Sequence, residues 1–225
     1  VEYYGTAEVI GVTAPVDKLA GLDLTAYIAY VARVSNPSNQ SNHLTAENLL
    51  NYLVRESHWS PFEMVNVVME INTTRDIARQ ILRHRSFSFQ EFSQRYADPT
   101  EHLGFVTREA RLQDKKNRQS SLETDDQDLH DAWEHKQDMV KLASEDAYRW
   151  AVDNGIAKEV ARSVLPEGMM ASRLYVNGTL RSWLHFCQVR TAKGTQAEHR
   201  QVARACWALI RERIPAMANI AMEVD

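Results

Sequence analysis

Between Met64 and Gln90 the spacing of apolar residues changes period twice, which excludes an all-helical or an all-strand fold. Val65, Val67, Met69 and Ile71 alternate, as a strand with one buried face requires. From Asp76 to Arg85 the spacing becomes helical, with Ile77, Ile81 and Leu82 on the inner side. Ser86 to Gln90 then alternates polar and aromatic residues, which suits an extended segment. Strand, helix and extended segment in so short a stretch predict a mixed α+β architecture.

The rest of the chain reads mainly as helix. Glu8–Val12 is an expected strand near the start, ending by Pro15. Asp23 opens a helix carrying Leu24, Ile28, Val31 and Ala32, which stops at the turn residues 35–39. Thr45 is the expected cap of a second helix, whose apolar face is Leu49, Leu50, Leu53 and Val54. Residues 98–131 are polar and read as a long surface excursion within a single domain spanning 1–225. Trp133, Val140, Ala147 and Trp150 mark a helix stopped by Asn154-Gly155. The last third reads as helical: 158–165 up to Pro166, a segment around Leu180, Trp183, Leu184 and Val189, and 196–213.

Composition narrows the function classes. With 225 residues the chain can bury a sizeable core. Its net charge of -4 speaks against a protein that coats nucleic acid. The two cysteines, Cys187 and Cys206, lie in apolar helical stretches, so buried free thiols are expected and no metal site. No stretch is long and apolar enough for a membrane span, and Val1-Glu2-Tyr3-Tyr4 does not resemble a signal peptide, so a cytoplasmic protein is expected.

The chemistry concentrates around Arg83-His84-Arg85. If the helix runs on to Arg85, Gln80, Arg83 and His84 share one face at i, i+3 and i+4. Glu91, Ser93, Gln94 and Arg95 follow on the extended segment. Guanidinium forks grip phosphate, while amide and carboxylate groups read a heterocycle edge or a sugar hydroxyl. The same residues also suit a solvated face of Arg–Glu pairs. Arg190 reads equally as a cation closing a helix C-terminus. Ser93 has no neighbouring base and no Gly-x-Ser-x-Gly elbow, so it reads as a binding residue and not a nucleophile.

Arg83-His84-Arg85 followed, after seven intervening residues, by Ser93 resembles the signature of the flavin-dependent thymidylate synthases. Further blocks resemble the family in the same order: 32–35, 58–63, 161–166, 180–190 and the region of Gln196 and Glu198. The resemblance implies a helix-rich α+β domain with a small antiparallel sheet. It implies reductive methylation of dUMP to dTMP, with methylenetetrahydrofolate as carbon donor and NADPH-reduced FAD as hydride source. Substrate would be held by positions Gln80, Arg83, Glu91, Ser93, Gln94, Arg95 and Arg162. Arg190 would be catalytic, stabilising the N3-ionised uracil ring. FAD would meet Ser35, His58, Ser60, Arg83, His84 and Arg85. Glu91, Thr179, Leu180, Arg181 and His185 complete that set. The active sites would be shared between subunits of a homotetramer.

The sequence departs from the family pattern in places. His185 and Thr179 stand where some members have asparagine, and Lys193 to Glu198 replaces a common Asp-x-His-Ala-Gln run. There is no Gly-x-Gly-x-x-Gly run, so a Rossmann cofactor site is not expected. Two rival readings are a nucleotide- or flavin-storing protein without turnover, and a nucleic-acid module using Arg75, Arg79, Arg83, Arg85 and Arg95.

Overall fold

A computed structural model describes residues 5–220; Val1–Tyr4 and the last five residues lie outside it. Chain order begins with strand β1 (Thr6–Val12), helices α1 (Leu24–Ala32) and α2 (Ala46–Arg55), then strand β2 (Asn66–Thr74). Helix α3 (Arg75–Ile81) leads into strand β3 (Ser88–Glu91). A short helix α4 (Pro99–His102) and a two-stranded hairpin, β4 (Leu112–Gln113) with β5 (Ser121–Leu122), precede the long helix α5 (Gln127–Asp153). Then come α6 (Lys158–Ala161), strand β6 (Ala171–Thr179), α7 (Leu180–Arg190) and α8 (Ala197–Arg213).

The four-stranded sheet has the order β1-β2-β6-β3, and each neighbouring pair is antiparallel. Its buried face carries Val67, Met69 and Ile71 of β2 and Leu174 and Val176 of β6. Against it pack α3, α7 and α8, and the main core continues through α1 and α2 by way of Ile28, Leu50 and Phe62. Trp183 sits fully buried near the middle, its indole N–H donating to the Val67 carbonyl at 3.0 Å. Phe87 stacks on it with ring centroids 4.4 Å apart. That stacking requires Gly178 on β6, because a Cβ there would stand 2.2 Å from the Phe87 ring.

Three expectations need correction, and one gains detail. The last third is not purely helical: β6 pairs along its whole length with β2, from Asn66–Thr179 to Thr74–Ala171. Helix α3 stops at Ile81, and Arg83 to Phe87 continue as tight turns, with the His84 N–H on the Ile81 carbonyl and Phe87 N–H on that of His84. Gln80 and His84 therefore do not share a helical face. Residues 98–131 contain α4 and the hairpin, whose turn is held by the Asp114 carboxylate on the Lys116 and Asn117 N–H groups. Thr45 precedes α2 without capping it; its hydroxyl accepts from Arg33 at 2.7 Å. Arg33 also meets the Asn42 carbonyl, so the hydroxyl satisfies a buried guanidinium instead.

Helix α5 exists where expected but faces another way. Its buried residues are Gln137, Ser144, Tyr148 and Ala151, while Trp133, Val140 and Trp150 are 44%, 47% and 62% exposed. Tyr148 and Ala151 join Ala161, Leu165 and Met170 in a small second core. Asn154 closes the helix, and Gly155 follows with φ of 77°, a conformation that favours glycine. Among the described residues no helix is long and apolar enough to cross a membrane.

Candidate active site

Helix α3 carries polar groups toward two different neighbourhoods. The first is a chain of hydrogen bonds toward α8. Gln80 donates from its amide nitrogen to Gln196 Oε1 at 2.8 Å, and Gln196 donates in turn to Glu198 at 2.9 Å. Gln80 Oε1 lies 3.2 Å from His199 Nδ1. Burial alone would raise the Glu198 carboxyl, but its helix N-terminal N–H, the Gln196 amide and Arg108 and Arg111 together hold it below its ordinary value. His199 is fully buried and its Nε2 has no hydrogen-bond partner. Desolvation, then the charge of Arg190, pushes its imidazole down to about 4, so it is neutral near pH 7.

Arg190 ends α7 and lies close enough to act electrostatically on two imidazoles, His199 and His84. His84 is depressed mainly by burial, then by His185 and Arg190, and its Nε2 is buried without a partner. The His84 and His185 ring centroids are 5.5 Å apart. His185 opens onto a cleft of about 450 Å³ lined by Trp59, Glu63, Ser86, Arg181, His185 and Gln188. Arg181, His185 and Gln188 reach it together because i, i+4 and i+7 align on α7. Arg181 is paired there with Glu63.

The second neighbourhood is ionic. Glu91 at the end of β3 lies 3.4 Å from Arg75 and 3.3 Å from Arg79, and accepts from the Ser172 hydroxyl at 2.8 Å. Arg75 is buried, and desolvation lowers its pKa more than Glu91 restores it. The charge of Arg162 also bears on Arg75, so it belongs to this neighbourhood. Arg95 is exposed and pairs with Glu159 at 3.4 Å. The Ser93 hydroxyl accepts the Arg95 N–H at 3.3 Å, and buried Gln94 keeps an amide nitrogen without a partner. Part of the expected constellation is thus engaged in Arg–Glu pairs within the chain.

The other expected positions divide by exposure. Arg83 and Arg85 are exposed on the turn after α3, and Ser35 is exposed after α1. His58 is exposed beside Tyr52, and Ser60 opens the turn that contains Pro61. Thr179 caps α7 by accepting the Ser182 N–H at 3.2 Å. Leu180 is fully buried and its N–H donates to the Val65 carbonyl, so its side chain serves the core. Cys187 and Cys206 are buried free thiols; burial pushes Cys206 up to about 12 and Cys187 well above its ordinary value.

Arg108 and Arg111 escaped the sequence reading. Arg108 donates to Thr74 and Asp76 at 2.8 Å, and Arg111 to Glu198. Gln137 of α5 clamps the Arg108 backbone from both sides, accepting its N–H at 2.8 Å and donating to its carbonyl at 2.9 Å. The polar, mixed-charge run around them carries no periodicity that would single them out.

The sequence and the fold are similar to those of known proteins. Residues 22–216 match the family model described as thymidylate synthase complementing protein. A probable flavin-dependent thymidylate synthase of Paramecium bursaria Chlorella virus 1 is 44% identical over 216 residues, covering 95% of this chain and 97% of that one. A flavin-dependent thymidylate synthase of Synechocystis is 48% identical over 170 residues, covering 76% and 77%. The crystal structure of a UMP/dUMP methylase, PolB of Streptomyces cacaoi, bound with 5-Br UMP superposes with a TM-score of 0.77 at 25% identity, covering 94% and 90%. The class is that of nucleotide-methylating enzymes built on a helix-rich α+β fold with a small antiparallel sheet. Within it the chain belongs to the flavin-dependent thymidylate synthases, methyltransferases whose cofactor is FAD.

Proposed function

We propose that the chain acts as one catalytic domain that methylates dUMP to dTMP in the cytosol, taking carbon from methylenetetrahydrofolate and reducing equivalents from NADPH. The observation that carries this reading is the continuity between two sites. Arg190, His199 and Gln80 form one end, and His84 and His185 join it to the cleft of Trp59 and Arg181.

The cleft suits a flavin. Trp59, the His185 imidazole and the Arg181 guanidinium line it, and behind His185 the His84 ring holds a buried, unpartnered nitrogen. Trp59, His84, His185 and Arg181 would hold FAD, with Ser60, Arg83 and Arg85 nearby in the chain. FAD supplies the hydride for the uracil ring when it is reduced and bound. The protein's own work is electrostatic. Arg190 stabilises negative charge on the uracil ring, since a fixed guanidinium needs no reorganisation as that charge develops. Neutral His84 and His199 keep the surroundings of Arg190 from becoming more positive. Gln80 reads the base edge.

Arg95, Arg162, Ser93 and Gln94 suit the phosphate and sugar; within the chain Arg95 is paired with Glu159, and Arg162 lies by the Arg75–Glu91 pair. These groups suit active sites completed by a neighbouring subunit, as in a homotetramer. The outward apolar residues of α5 supply a surface for such assembly.

An anaerobic assay of purified protein with FAD, NADPH, dUMP and methylenetetrahydrofolate tests the reading. Flavin-dependent dTMP formation is expected, falling about 100-fold or more in Arg190→Ala, the scale of removing one charge-stabilising donor. Tight dUMP binding without product under any reductant would favour a storage protein instead.

A further inference from the structure

We infer that Glu198, acting through Gln196, locks the Gln80 amide in one orientation, and that this lock makes the site select a pyrimidine nucleotide with a carbonyl at position 4 over its 4-amino analogue. The inference rests on the substrate reading above. Its physical basis is the direction of the hydrogen bonds linking these side chains.

A carboxylate accepts only, whereas an amide has a donor end and an acceptor end that can exchange by a half-turn. Against its burial, Glu198 is kept ionised by its helix N-terminal N–H, the Gln196 amide, Arg108 and the directly paired Arg111, so the group facing it must donate. Gln196 consequently turns its nitrogen to Glu198 and its oxygen to Gln80. Gln80 must then give its nitrogen to Gln196, which leaves its oxygen toward His199. His199 answers with a proton on Nδ1, and its Nε2 remains a bare acceptor in a fully buried ring. Each orientation follows from the previous one, beginning at a group with only one choice.

Gln80 retains one free N–H and one free lone pair after these bonds. Half-buried beside His199, which the Arg190 charge reaches, it offers both in fixed places. A free amide would flip to pair with either base. A locked one meets the 4-oxo group of uracil with a donor, and meets the amino group of cytosine donor against donor. Leaving buried polar groups mismatched in this way is the strongest form of discrimination open to a binding site. Glu198 and Gln196 are thus positioning residues, acting on selectivity through Gln80.

The test compares dUMP and dCMP affinity in flavin-loaded protein. Wild type is expected to prefer dUMP by about 100-fold or more, a preference that a correctly directed polar contact supports. Glu198→Gln removes the acceptor-only end, and the preference should fall below about tenfold, chiefly through tighter dCMP binding. The double exchange Glu198→Gln with Gln196→Glu puts an acceptor-only group beside Gln80 again and should restore the preference. A merely structural role for Glu198 predicts no such rescue. An unchanged preference in the single variant, or a loss that the exchange does not repair, would overturn the inference.

A second measurement needs no variant. Neutron diffraction on the wild-type protein should place deuterium on Nδ1 of His199 and not on Nε2; the opposite tautomer would reverse the chain and refute the lock. Wild-type protein that binds neither nucleotide would instead overturn the substrate reading, and the selectivity claim with it.

Discussion

Helices α7 and α5 are both rich in large apolar residues, yet they spend them in opposite directions. Helix α7 buries Leu180, Trp183, Leu184, Phe186 and Cys187, whereas α5 leaves Trp133, Met139, Val140, Leu142 and Trp150 at the surface. Helix α7 is pinned from both sides, by the sheet and by α8, and this rigidity is what lets Arg181, His185 and Arg190 hold fixed places. Helix α5 touches the body of the protein through a few polar or small residues and one tyrosine. The contrast shows that apolar content says how much surface a helix must cover. It does not say whether the cover comes from the same chain.

Substitutions on the two helices sharpen or break that contrast. Trp183→Ala empties the centre of the core and leaves the Val67 carbonyl without its donor, so denaturant unfolding should register a loss of about 3–5 kcal/mol. Acid should act next most strongly, at the seam where His199 of α8 meets Phe186 of α7 at 5.7 Å. Its folded pKa of about 4 lies below the ordinary 6.5, so the unfolded chain takes the proton more readily. Stability should therefore be full above pH 6.5 and decline as pH falls toward 4, by about 3 kcal/mol from this group. A His199→Gln variant that keeps the same acid slope would show that another group is responsible.

Thr179→Ala removes the cap of α7 and should lower the unfolding free energy by about 1 kcal/mol, with Thr179→Ser recovering most of it. Trp150→Ala on α5 should change the stability of the dissociated chain by less than about 0.5 kcal/mol. It should nonetheless weaken self-association in sedimentation equilibrium. A large loss of chain stability with no change in association would reverse the roles assigned to the two helices.

The sequence disclosed most of the scaffold and about half of the site's logic, for identifiable reasons. β2 and α3 were legible because Val65 to Ile71 and Ile77 to Ile81 keep clean periods on one buried face. β6 was overlooked although Leu174, Val176 and Gly178 alternate inward. Its outward Arg173, Tyr175 and Asn177 break the apolar signal, and it runs directly into α7 without a turn residue. The alignment of Arg181, His185 and Gln188 on one face was readable because it is a property of a single helix. The link from Gln80 to Gln196, and from Arg111 to Glu198, joins segments distant in the chain, and no local pattern records such a meeting. The end of α3 was misplaced because Leu82 to Arg85 have good helix formers, while the hydrogen bonds there close over three residues instead of four.

The burial of Cys187 and Cys206 has a pharmacological meaning. These are the only two cysteines of the chain, and their thiols stay protonated and out of reach. Thiol-directed alkylating warheads have no cysteine to seize in the folded protein. An inhibitor of this chain gains no hold from a cysteine and must draw its affinity from the charge and shape of the groove beside α7.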